Sequence, residues 1–344
     1  MIQSWLGAVA LSVSITGAAV AEPTYTLLSF DDLADWSADD HQAALTVFIE
    51  TCGDLADPEW ASICAIAKTT TDARAFFEAF FQPVLVQDGE PMLFTGYFEP
   101  ELRGAQEQGG PYQYPIYRLP EDHVAGELYL TREQIEDGRP LAGRDLEIAW
   151  LANAVDLFFL QVQGSGRIRF EDGGGIRVGY GGKNGHTYSS VGRELVSRGV
   201  YDEHQVSAQV IRNWVRDNPD QGRELLWVNE SYVFFREVNE VPADKGPLGA
   251  MNRSITTGRS IAVDPAFTEL GTPVWVEKEG AAPMYRLMVA QDTGSAIKGA
   301  QRADIFYGTG DAAGRKAGRI KDGGRMIRLL PIQMAYALLP EIIE

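Results

Sequence analysis

Histidine and cysteine are scarce in this chain of 344 residues, which has four histidines and two cysteines. The histidines, His41, His123, His186 and His204, are scattered, and no His-Glu-x-x-His pattern is present. A complete serine-nucleophile elbow and a phosphate-binding loop are also missing from the sequence. We therefore expect no metal ion and no cofactor, and carboxylates remain the candidate catalytic groups.

Positive charge is in deficit, because 30 lysines and arginines stand against 48 aspartates and glutamates. The net charge of −18 argues against nucleic acid as a partner, since nucleic-acid binding requires a basic surface. The proportions of hydrophobic residues (45%) and charged residues (23%) are ordinary for a globular protein, and the length predicts about two domains.

Long apolar runs are missing except at the N-terminus, where Trp5–Ala21 carries no charge. The tripeptide AVA before Glu22 fits a small-x-small cleavage site, so residues 1–21 are predicted to be an export signal. An uncleaved membrane anchor is the alternative, although about 17 residues are barely enough to span a bilayer. No cysteine lies near the cleavage site, so a bacterial lipid anchor is not expected.

The two cysteines, Cys52 and Cys64, are close together in the sequence. An exported protein folds in an oxidising compartment, where a closely spaced even pair most simply forms one disulfide. Two buried free thiols are the alternative. A metal site is not expected at these cysteines, because no histidine lies between or beside them.

The sequence changes character near Pro91. Residues 30–83 are predicted to be helical, and an aromatic cluster within them is predicted to be core, namely Phe76, Phe77, Phe80 and Phe81. After Pro91, short runs rich in Val, Ile, Tyr, Phe and Trp alternate with Gly, Pro, Asn and Asp turns. That pattern is typical of β-barrels and sandwiches rather than of alternating strands and helices.

The predicted strands after Pro91 include residues 156–170 and 225–237. One helical interlude is predicted from Ser190 to Arg216. Polar segments that contain glycine or proline, Glu101–Gly110 and Pro242–Gly249, are predicted to be the two crossings to an inserted domain.

One segment, residues 292–328, is basic in an otherwise acidic chain, because it holds eight Lys/Arg and four Asp, a balance of +4. Within it, Asp292 follows a short apolar run and Asp304 precedes another. Basic residues around two carboxylates indicate a site for an anionic substrate, with one carboxylate available for proton transfer. The alternative is that each aspartate only caps a turn.

Several motifs follow one another along residues 93–330: FTGYFEP (94–100), YPIYRLP (114–120), LFFLQVQGSGRI (157–168), VGYGGKNGHTYSSVGREL (178–195), NESYVFFRE (229–237), RSIAVDP (259–265), AQDTGSAIKG (290–299) and ADIFYGTG (303–310). Together they resemble the membrane-bound lytic transglycosylase A family, bacterial enzymes that cut peptidoglycan. The resemblance implies a peptidoglycan lytic exotransglycosylase in the periplasm of a Gram-negative bacterium, with peripheral association to the outer membrane as a further expectation. Its partner would be the glycan strands of peptidoglycan.

The resemblance also implies a mainly β fold with N-terminal helices. Residues 22–100 and 243–344 would together build a double-psi β-barrel that carries the catalytic residues. Residues 101–242 would form a smaller inserted β domain, and the glycan strand would lie in the groove between the two. This agrees with the alternation of short strands and turns.

The family's catalytic aspartate, in the strand after the A-I-K-G turn, corresponds to Asp304, and the aspartate of AQD, Asp292, is its nearby partner. Residues of the matching motifs that can hydrogen-bond to or stack on sugars are predicted to bind substrate: Thr95, Tyr97, Gln161, Gln163, Ser165, Tyr188 and Lys298. For each, the alternative is a role in a turn or in the core. Glu99 and Glu230 are the spare carboxylates if the reaction needs a second one.

Glycoside cleavage normally requires two carboxylates. The resemblance implies that one suffices here, because the C6 hydroxyl of N-acetylmuramic acid replaces water and a 1,6-anhydro product forms. Desolvation and the charge of Asp292 would raise the pKa of Asp304, whereas Lys298 and Arg302 would lower it if close. The alternatives are a hydrolase that uses Asp292 as its base, and a murein-binding protein without catalysis.

Overall fold

The computed structural model describes residues 22–339, so the predicted export signal lies outside the described residues. Within this range the strands, in chain order, are β1 (Thr24–Leu27), β2 (Phe81–Gln87), β3 (Leu93–Glu99), β4 (Glu101–Ala105), β5 (Tyr114–Tyr117), β6 (Glu147–Leu151), β7 (Gly166–Arg169), β8 (Gly175–Lys183), β9 (Val233–Glu237), β10 (Ser260–Val263), β11 (Pro273–Lys278), β12 (Met284–Thr293), β13 (Arg302–Thr309), β14 (Lys321–Asp322) and β15 (Gly324–Pro331).

The helices of the same range are α1 (His41–Thr51), α2 (Pro58–Ala67), α3 (Ala73–Phe80), α4 (Arg132–Glu136), α5 (Ala154–Gln163), α6 (Val191–Ser197), α7 (Ala208–Asp217), α8 (Pro219–Trp227), α9 (Gly310–Ala317) and α10 (Ile332–Ala337). Among these helices of residues 22–339, none combines the length and the apolar character that crossing a bilayer requires.

The strands form two sheets. One has nine strands, in the order β1-β2-β15-β11-β12-β10-β13-β3-β14, and draws them from both ends of the described chain. The other has six strands, in the order β5-β6-β4-β7-β8-β9, all from residues 101–237. Both sheets are mixed, because β10 with β12, β3 with β13, and β4 with β7 pair in parallel. The architecture is therefore two mixed sheets accompanied by helices.

The central strands of the nine-stranded sheet are buried on both faces. In β11, Val274 and Val276 enter one apolar cluster and Trp275 enters another, since successive side chains of a strand point to opposite faces. The first cluster holds ten buried residues, all from β3, β10, β11, β12, β13 and β15. Because the strands of one sheet bury this face themselves, the sheet curves around it.

The second cluster joins the opposite face of this sheet to the N-terminal helices. Phe76, Phe77 and Phe81 are buried there, and Phe80 packs at the margin, in agreement with the core role predicted for these residues. Each of the three helices begins at an aspartate whose side chain accepts a hydrogen bond from a backbone N–H group: Asp40, Asp57 and Asp72. Caps at these positions mark where each helix can start.

Cys52 and Cys64 are bonded to each other in this cluster. Cys52 directly follows α1, and Cys64 lies in α2, so the bond ties the two helices together beneath the sheet. In the chain-entropy account, a cross-link that closes a loop of this length stabilises the folded state by about 3 kcal/mol.

The prediction of β structure through residues 156–170 is wrong in its first half, where the chain forms α5. The sequence marks both ends of this helix. The Asn153 side chain accepts a hydrogen bond from the backbone N–H of Asp156 (2.8 Å), and Gly164 follows at φ 76°, a conformation that favours glycine. These two caps decide the local structure, although the residues between them have strand-like composition.

The helical interlude is also longer than the predicted span from Ser190 to Arg216. It contains α6 and α7 and continues through α8 to Trp227, so residues 225–227 end a helix instead of beginning a strand. Pro219 opens α8, a position where the missing N–H of proline costs no helical hydrogen bond. Together with α5, these helices enclose an apolar cluster of their own.

Candidate active site

Asp292 and Asp304 lie in one row of paired residues that crosses four neighbouring strands of the nine-stranded sheet. Ala262 of β10 pairs with Asp292 of β12 on one side and with Asp304 of β13 on the other. Asp304 pairs in turn with Thr95 of β3. Because neighbouring strands lie about 4.8 Å apart, the Cα atoms of the two aspartates are separated by about 10 Å, with the small Ala262 between them.

A β-bulge in β12 turns Asp292 toward this row. Two consecutive residues of β10 pair with Ala290 and Asp292, so β12 has one extra residue at Gln291. In a regular strand without the bulge, Asp292 would share the face of Met288 and Ala290, which belong to the apolar core. The bulge therefore brings both carboxylates to one face of the sheet, a change of direction that bulges commonly produce.

Asp304 is held through one of its two carboxyl oxygens. Thr95 Oγ1 donates a hydrogen bond to Asp304 Oδ1 (2.7 Å), and Arg302 donates to Thr95 Oγ1 (2.9 Å). Since Arg302 uses the hydroxyl as an acceptor, the hydroxyl hydrogen is directed to the carboxyl group. No hydrogen bond from residues 22–339 reaches Asp304 Oδ2, which leaves that oxygen for a proton or a ligand.

Asp292 is held through both oxygens. The Tyr97 hydroxyl donates to Oδ2 (2.9 Å), and the backbone N–H groups of Ala250 (3.0 Å) and Thr293 (2.9 Å) donate to Oδ1. Burial raises the pKa of the Tyr97 phenol well above its usual range, so this hydroxyl remains a donor. Three donors directed at one carboxyl group favour its ionised form.

Both aspartates have raised pKa values because the groove desolvates them. Desolvation raises the pKa of Asp304 to about 6, against the Thr95 hydrogen bond and the charge of Arg302. Desolvation also raises the pKa of Asp292 to about 6, against its three hydrogen bonds and with a smaller contribution from the charge of Asp304. Two carboxyl groups of this kind can exchange protons near neutral pH.

A groove of about 290 Å³ separates this row from the six-stranded sheet. Gln161 and Gln163 of α5, and Tyr188 before α6, line its opposite wall. Gln163 Oε1 accepts a hydrogen bond from the backbone N–H of Phe98 (3.0 Å) and so connects the two walls. Gln161 Nε2 donates to the Val233 carbonyl (3.2 Å), while its buried Oε1 has no partner among residues 22–339.

The predicted site residues divide into two groups. Asp292, Asp304, Tyr97, Gln161, Gln163 and Tyr188 line the groove together. Thr95 lies beside Asp304 as its hydrogen-bond donor. Like Thr95, two further residues predicted to bind substrate are not in the lining: Ser165 is buried just after the end of α5, and Lys298 points to Asp264 (3.4 Å) with most of its side chain exposed. The pairing with Asp264 also directs the charge of Lys298 away from Asp304.

The groove contains residues that the sequence did not indicate, chief among them Arg132 of α4. Its buried guanidinium donates to the carbonyls of Asn229 (3.0 Å) and Ser231 (2.7 Å), which also line the groove. It lies 4.8 Å from the centre of the Phe158 ring and 5.2 Å from that of Tyr232. The only local sequence signal here is a capping box at the start of α4, which does not reveal contacts to distant segments.

Neither spare carboxylate reaches the groove. Glu99 is fully buried, 2.9 Å from Arg167 and 2.8 Å from Arg177, and it accepts a hydrogen bond from Thr309 (2.8 Å). Glu230 is largely exposed and lies 3.4 Å from His186. Among residues 22–339, Asp292 is therefore the one other carboxylate that lines the groove beside Asp304.

Comparison with known proteins places both parts of the site in described families. Residues 93–236 match the MltA specific insert domain, and residues 259–330 match the 3D domain. The chain is 34% identical, over 264 residues, to membrane-bound lytic murein transglycosylase A of Vibrio cholerae. That alignment covers 73% of this chain and 69% of the Vibrio protein.

Solved structures show the same likeness. The membrane-bound lytic murein transglycosylase of Agrobacterium tumefaciens superposes with a TM-score of 0.81 at 33% identity, covering 91% of this chain and 99% of that one. The Escherichia coli MltA structure with bound chitohexaose superposes with a TM-score of 0.70 at 28% identity, covering 85% and 90% of the two chains. On these similarities, the chain belongs to the membrane-bound lytic murein transglycosylase A family.

Proposed function

We propose that this protein cleaves the β-1,4 bond between N-acetylmuramic acid and N-acetylglucosamine in peptidoglycan and releases 1,6-anhydromuropeptides. The observation that carries the proposal is the contrast between the two aspartates in one row. Burial raises both pKa values to about 6, but Asp304 accepts one hydrogen bond and has one oxygen without a partner among residues 22–339, whereas Asp292 accepts three. Membership of a family of lytic murein transglycosylases supports peptidoglycan as the polymer.

In the first step, Asp304 acts as the acid. With a pKa of about 6, the group remains protonated in roughly a tenth of molecules at pH 7. Thr95 occupies Oδ1, so the proton is carried on Oδ2. This proton moves to the glycosidic oxygen as its bond to C1 of N-acetylmuramic acid breaks, and the N-acetylglucosamine fragment leaves as an alcohol.

In the second step, the same group acts as the base. The Asp304 carboxylate takes the proton from the C6 hydroxyl of N-acetylmuramic acid while O6 forms a bond to C1. The proton returns to Asp304, so the cycle consumes no water and ends with the enzyme in its starting state. Because the nucleophile belongs to the substrate, most of the entropy cost of bringing it to C1 is already met.

Asp292 stabilises the charge that develops between these steps. The anomeric carbon becomes positive as the glycosidic bond breaks, and a fixed carboxylate beside it lowers the energy of that state. The donors Tyr97, Ala250 and Thr293 hold Asp292 ionised and in one orientation. In this role Asp292 transfers no proton.

The same proposal assigns a part of the chain to each wall of the groove. Residues 22–100 and 243–344 form the catalytic unit, and residues 101–242 form the opposite wall, where Gln161 and Tyr188 contact sugar rings. We further propose that the nine-stranded sheet closes as a double-psi β-barrel. The enclosed cluster of ten residues from six of its strands supports this, as does the tendency of large twisted sheets to curl.

The cellular location that we propose follows from peptidoglycan as the substrate. We propose that residues 1–21 direct export and that the enzyme acts in the periplasm of a Gram-negative bacterium. The uncharged N-terminal run and the disulfide between Cys52 and Cys64 support an exported protein. Mass spectrometry of the mature protein from periplasmic extracts should find Glu22 as its first residue, and an intact N-terminus would contradict cleavage at this position.

Product mass is the deciding test of the reaction. Wild-type protein incubated with purified sacculi should release muropeptides about 18 mass units lighter than the reducing-end products of hydrolysis. Asp304→Asn should release none, with an unchanged circular dichroism spectrum. Reducing-end products alone would instead support a hydrolase with Asp292 as its base. Binding to sacculi without any product would support a non-catalytic murein-binding protein.

A further inference from the structure

A second cavity, larger than the groove, lies within the unit built from residues 101–237. It is a cleft of about 750 Å³, bounded by β5 and β6 on one side and by α7 and α8 on the other. Its volume is in the range of ligand-binding sites, about 300–1,000 Å³. The cleft shares no lining residue with the groove, so it is a separate site.

Aromatic and guanidinium groups line this cleft. Its aromatic residues include Tyr114, Trp150 and Trp227, and its cations are Arg139, Arg212, Arg216 and Arg223. The four arginines stand against four acidic lining residues, whereas the whole chain has 30 cations and 48 anions. One of those acids, Glu136, is already paired with Arg132 outside the cleft (2.9 Å). The cleft is therefore much less negative than the rest of the protein.

This lining fits a particular class of ligand. Indole and phenol rings pack against the apolar faces of sugars, and guanidinium groups bind carboxylates. Amide side chains also line the cleft and can bond to hydroxyl and peptide groups, among them Gln113, Asn153 and Asn213. A saccharide that carries a peptide with free carboxylates presents all three kinds of partner at once.

The cleft and the groove have a wall in common. Glu136, in the cleft, accepts hydrogen bonds from Trp227 Nε1 (2.9 Å), also in the cleft, and from Arg132 (2.9 Å), which lines the groove. The Arg132 guanidinium also lies 5.2 Å from the centre of the Tyr232 ring, which lines the cleft. Only a layer of side chains separates the two sites.

We propose that this cleft is a second, non-catalytic binding site for peptide-bearing segments of peptidoglycan. The inference rests on the proposed function, because it takes the same polymer as its ligand. In this arrangement the arginines bind the carboxylates of the stem peptide, and the tryptophans contact the sugar rings. Attachment at the cleft raises the effective concentration of glycan at the groove beside it.

Kinetics on long and short substrates test the proposal. The triple variant Arg139→Gln, Arg216→Gln and Arg223→Gln removes exposed side chains that have no contact with the catalytic row. We expect the sacculus concentration for half-maximal rate to rise about fivefold, since each weak ionic contact contributes little alone. The limiting rate should stay the same, as should the rate on a soluble tetrasaccharide without stem peptides, which lacks the carboxylates that the cleft would bind.

The matched control is Arg198→Gln with Arg236→Gln, which removes two partly exposed arginines of the same unit that are in the lining of neither cavity. This control should behave as wild type on both substrates. An equal loss for the control and for the triple variant, or a loss on the short substrate too, would overturn the proposal.

A binding measurement separates this site from the catalytic one. In Asp304→Asn protein with the groove saturated by uncharged chitohexaose, calorimetric titration with a disaccharide-tripeptide should detect binding that the triple variant weakens at least fivefold. Equal affinities, or no binding, would refute the second site. If wild-type protein releases anhydro products while the triple variant matches it throughout, only this inference fails. If wild-type protein releases no anhydro product, the proposed reaction fails, whatever the calorimetry shows.

Discussion

At the scale of single residues, the proposed reaction depends on two carboxyl groups that change protonation near pH 6. Above that pH the protonated fraction of Asp304 falls about tenfold per unit, so the acid of the first step is lost. Below it, Asp292 becomes neutral and no longer stabilises positive charge. Initial rates on sacculi between pH 4 and 8 should therefore give a bell-shaped profile centred near pH 6. A rate that rises steadily to pH 8 would contradict these roles.

Removing the Asp304 charge should stabilise the fold at neutral pH. The folded-state pKa of about 6 exceeds the ordinary value of 3.8, so between these values the folded protein binds more protons than the unfolded chain. Wild-type stability consequently falls as pH rises through this window. Asp304→Asn lacks this loss and should be about 1–3 kcal/mol more stable than wild type at pH 8.

Urea denaturation of the two proteins at pH 4 and at pH 8 measures this difference. The stabilities should converge at pH 4, where the wild-type group is protonated in the folded state and half-protonated in the unfolded chain. A variant that is less stable than wild type at pH 8 would show that the groove does not desolvate Asp304. Asp40→Asn, at an exposed helix cap, serves as the control for a general charge effect.

The Thr95 hydroxyl positions Asp304 and can be removed with little change of shape. Thr95→Val removes the hydrogen bond to Asp304 Oδ1, and Arg302 loses one of its hydrogen-bond acceptors. Because that hydrogen bond lowers the pKa of Asp304, the alkaline limb of the pH profile should move to higher pH. The limiting rate should fall about tenfold as the carboxyl group loses its fixed orientation. Thr95→Ser keeps the hydroxyl and should retain both features, and equal behaviour of the two variants would argue against this role.

At the scale of elements, the bulge of β12 decides whether the site exists. Inserting one alanine between Gln291 and Asp292 would move Asp292 one position along β12, opposite Val263, and turn it toward the face of Met288 and Ala290. A carboxyl group buried there without its donors should cost more than about 3 kcal/mol, and lytic activity should disappear.

Chemical denaturation and a zymogram on sacculi measure the two effects. Gln291→Ala keeps the length of β12 and loses only the hydrogen bond between the side chains of Gln291 and Ser260. It should therefore keep much of the activity. An insertion variant that remains folded and active would show that the position of Asp292 does not depend on the register that the bulge sets.

At the scale of the whole molecule, Glu99 joins the two sheets where the chain crosses between them. It ends β3 of the nine-stranded sheet and binds Arg167 of β7 and Arg177 of β8 in the six-stranded sheet. Both arginines also donate to the carbonyl of Lys245, in the second crossing (3.1 and 2.7 Å). The fully buried Glu99 carboxyl group thus connects the two segments that link the sheets. These contacts fix how far apart the two walls of the groove lie.

Glu99→Gln leaves two guanidinium groups with less compensating charge. Removing one partner of a buried ion pair commonly costs about 3–5 kcal/mol, and we expect a loss of that order in urea denaturation. The same substitution at the exposed Glu240, which pairs with Arg236, should cost less than about 1 kcal/mol. Similar losses at the two positions would mean that the Glu99 cluster does not hold the sheets together.

Local sequence patterns predicted much of the fold. Alternating apolar runs and turn residues indicated short strands after Pro91, and aspartates in front of apolar segments indicated the helices that precede it. The errors at α5 and α8 came from residues with strand-like side chains between helix caps. In both places the cap residues, Asn153 and Gly164 for α5 and Pro219 for α8, were present in the sequence and carried the better signal.

The candidate site was predictable only in part. The motifs indicated Asp304 and Asp292, together with Tyr97, Gln161 and Tyr188, as residues of one groove. They did not indicate Arg132, because its partners lie about a hundred residues away in the chain. Lys298 was expected near the aspartates, but Asp264 lies closer to its ammonium group.

The sequence by itself determined the types of element, their approximate order and the chemical character of the groove, because turns, caps and alternation act between residues close together in the chain. Tertiary structure alone decided that Asp292 and Asp304 share one face, that Asp304 has one oxygen without a partner, and that Glu99 serves the fold instead of the reaction. Each of these depends on strand register or on contacts between segments far apart in the chain. Such contacts form only when the whole chain packs, and packing also removes the water whose loss raises the pKa values of the two aspartates.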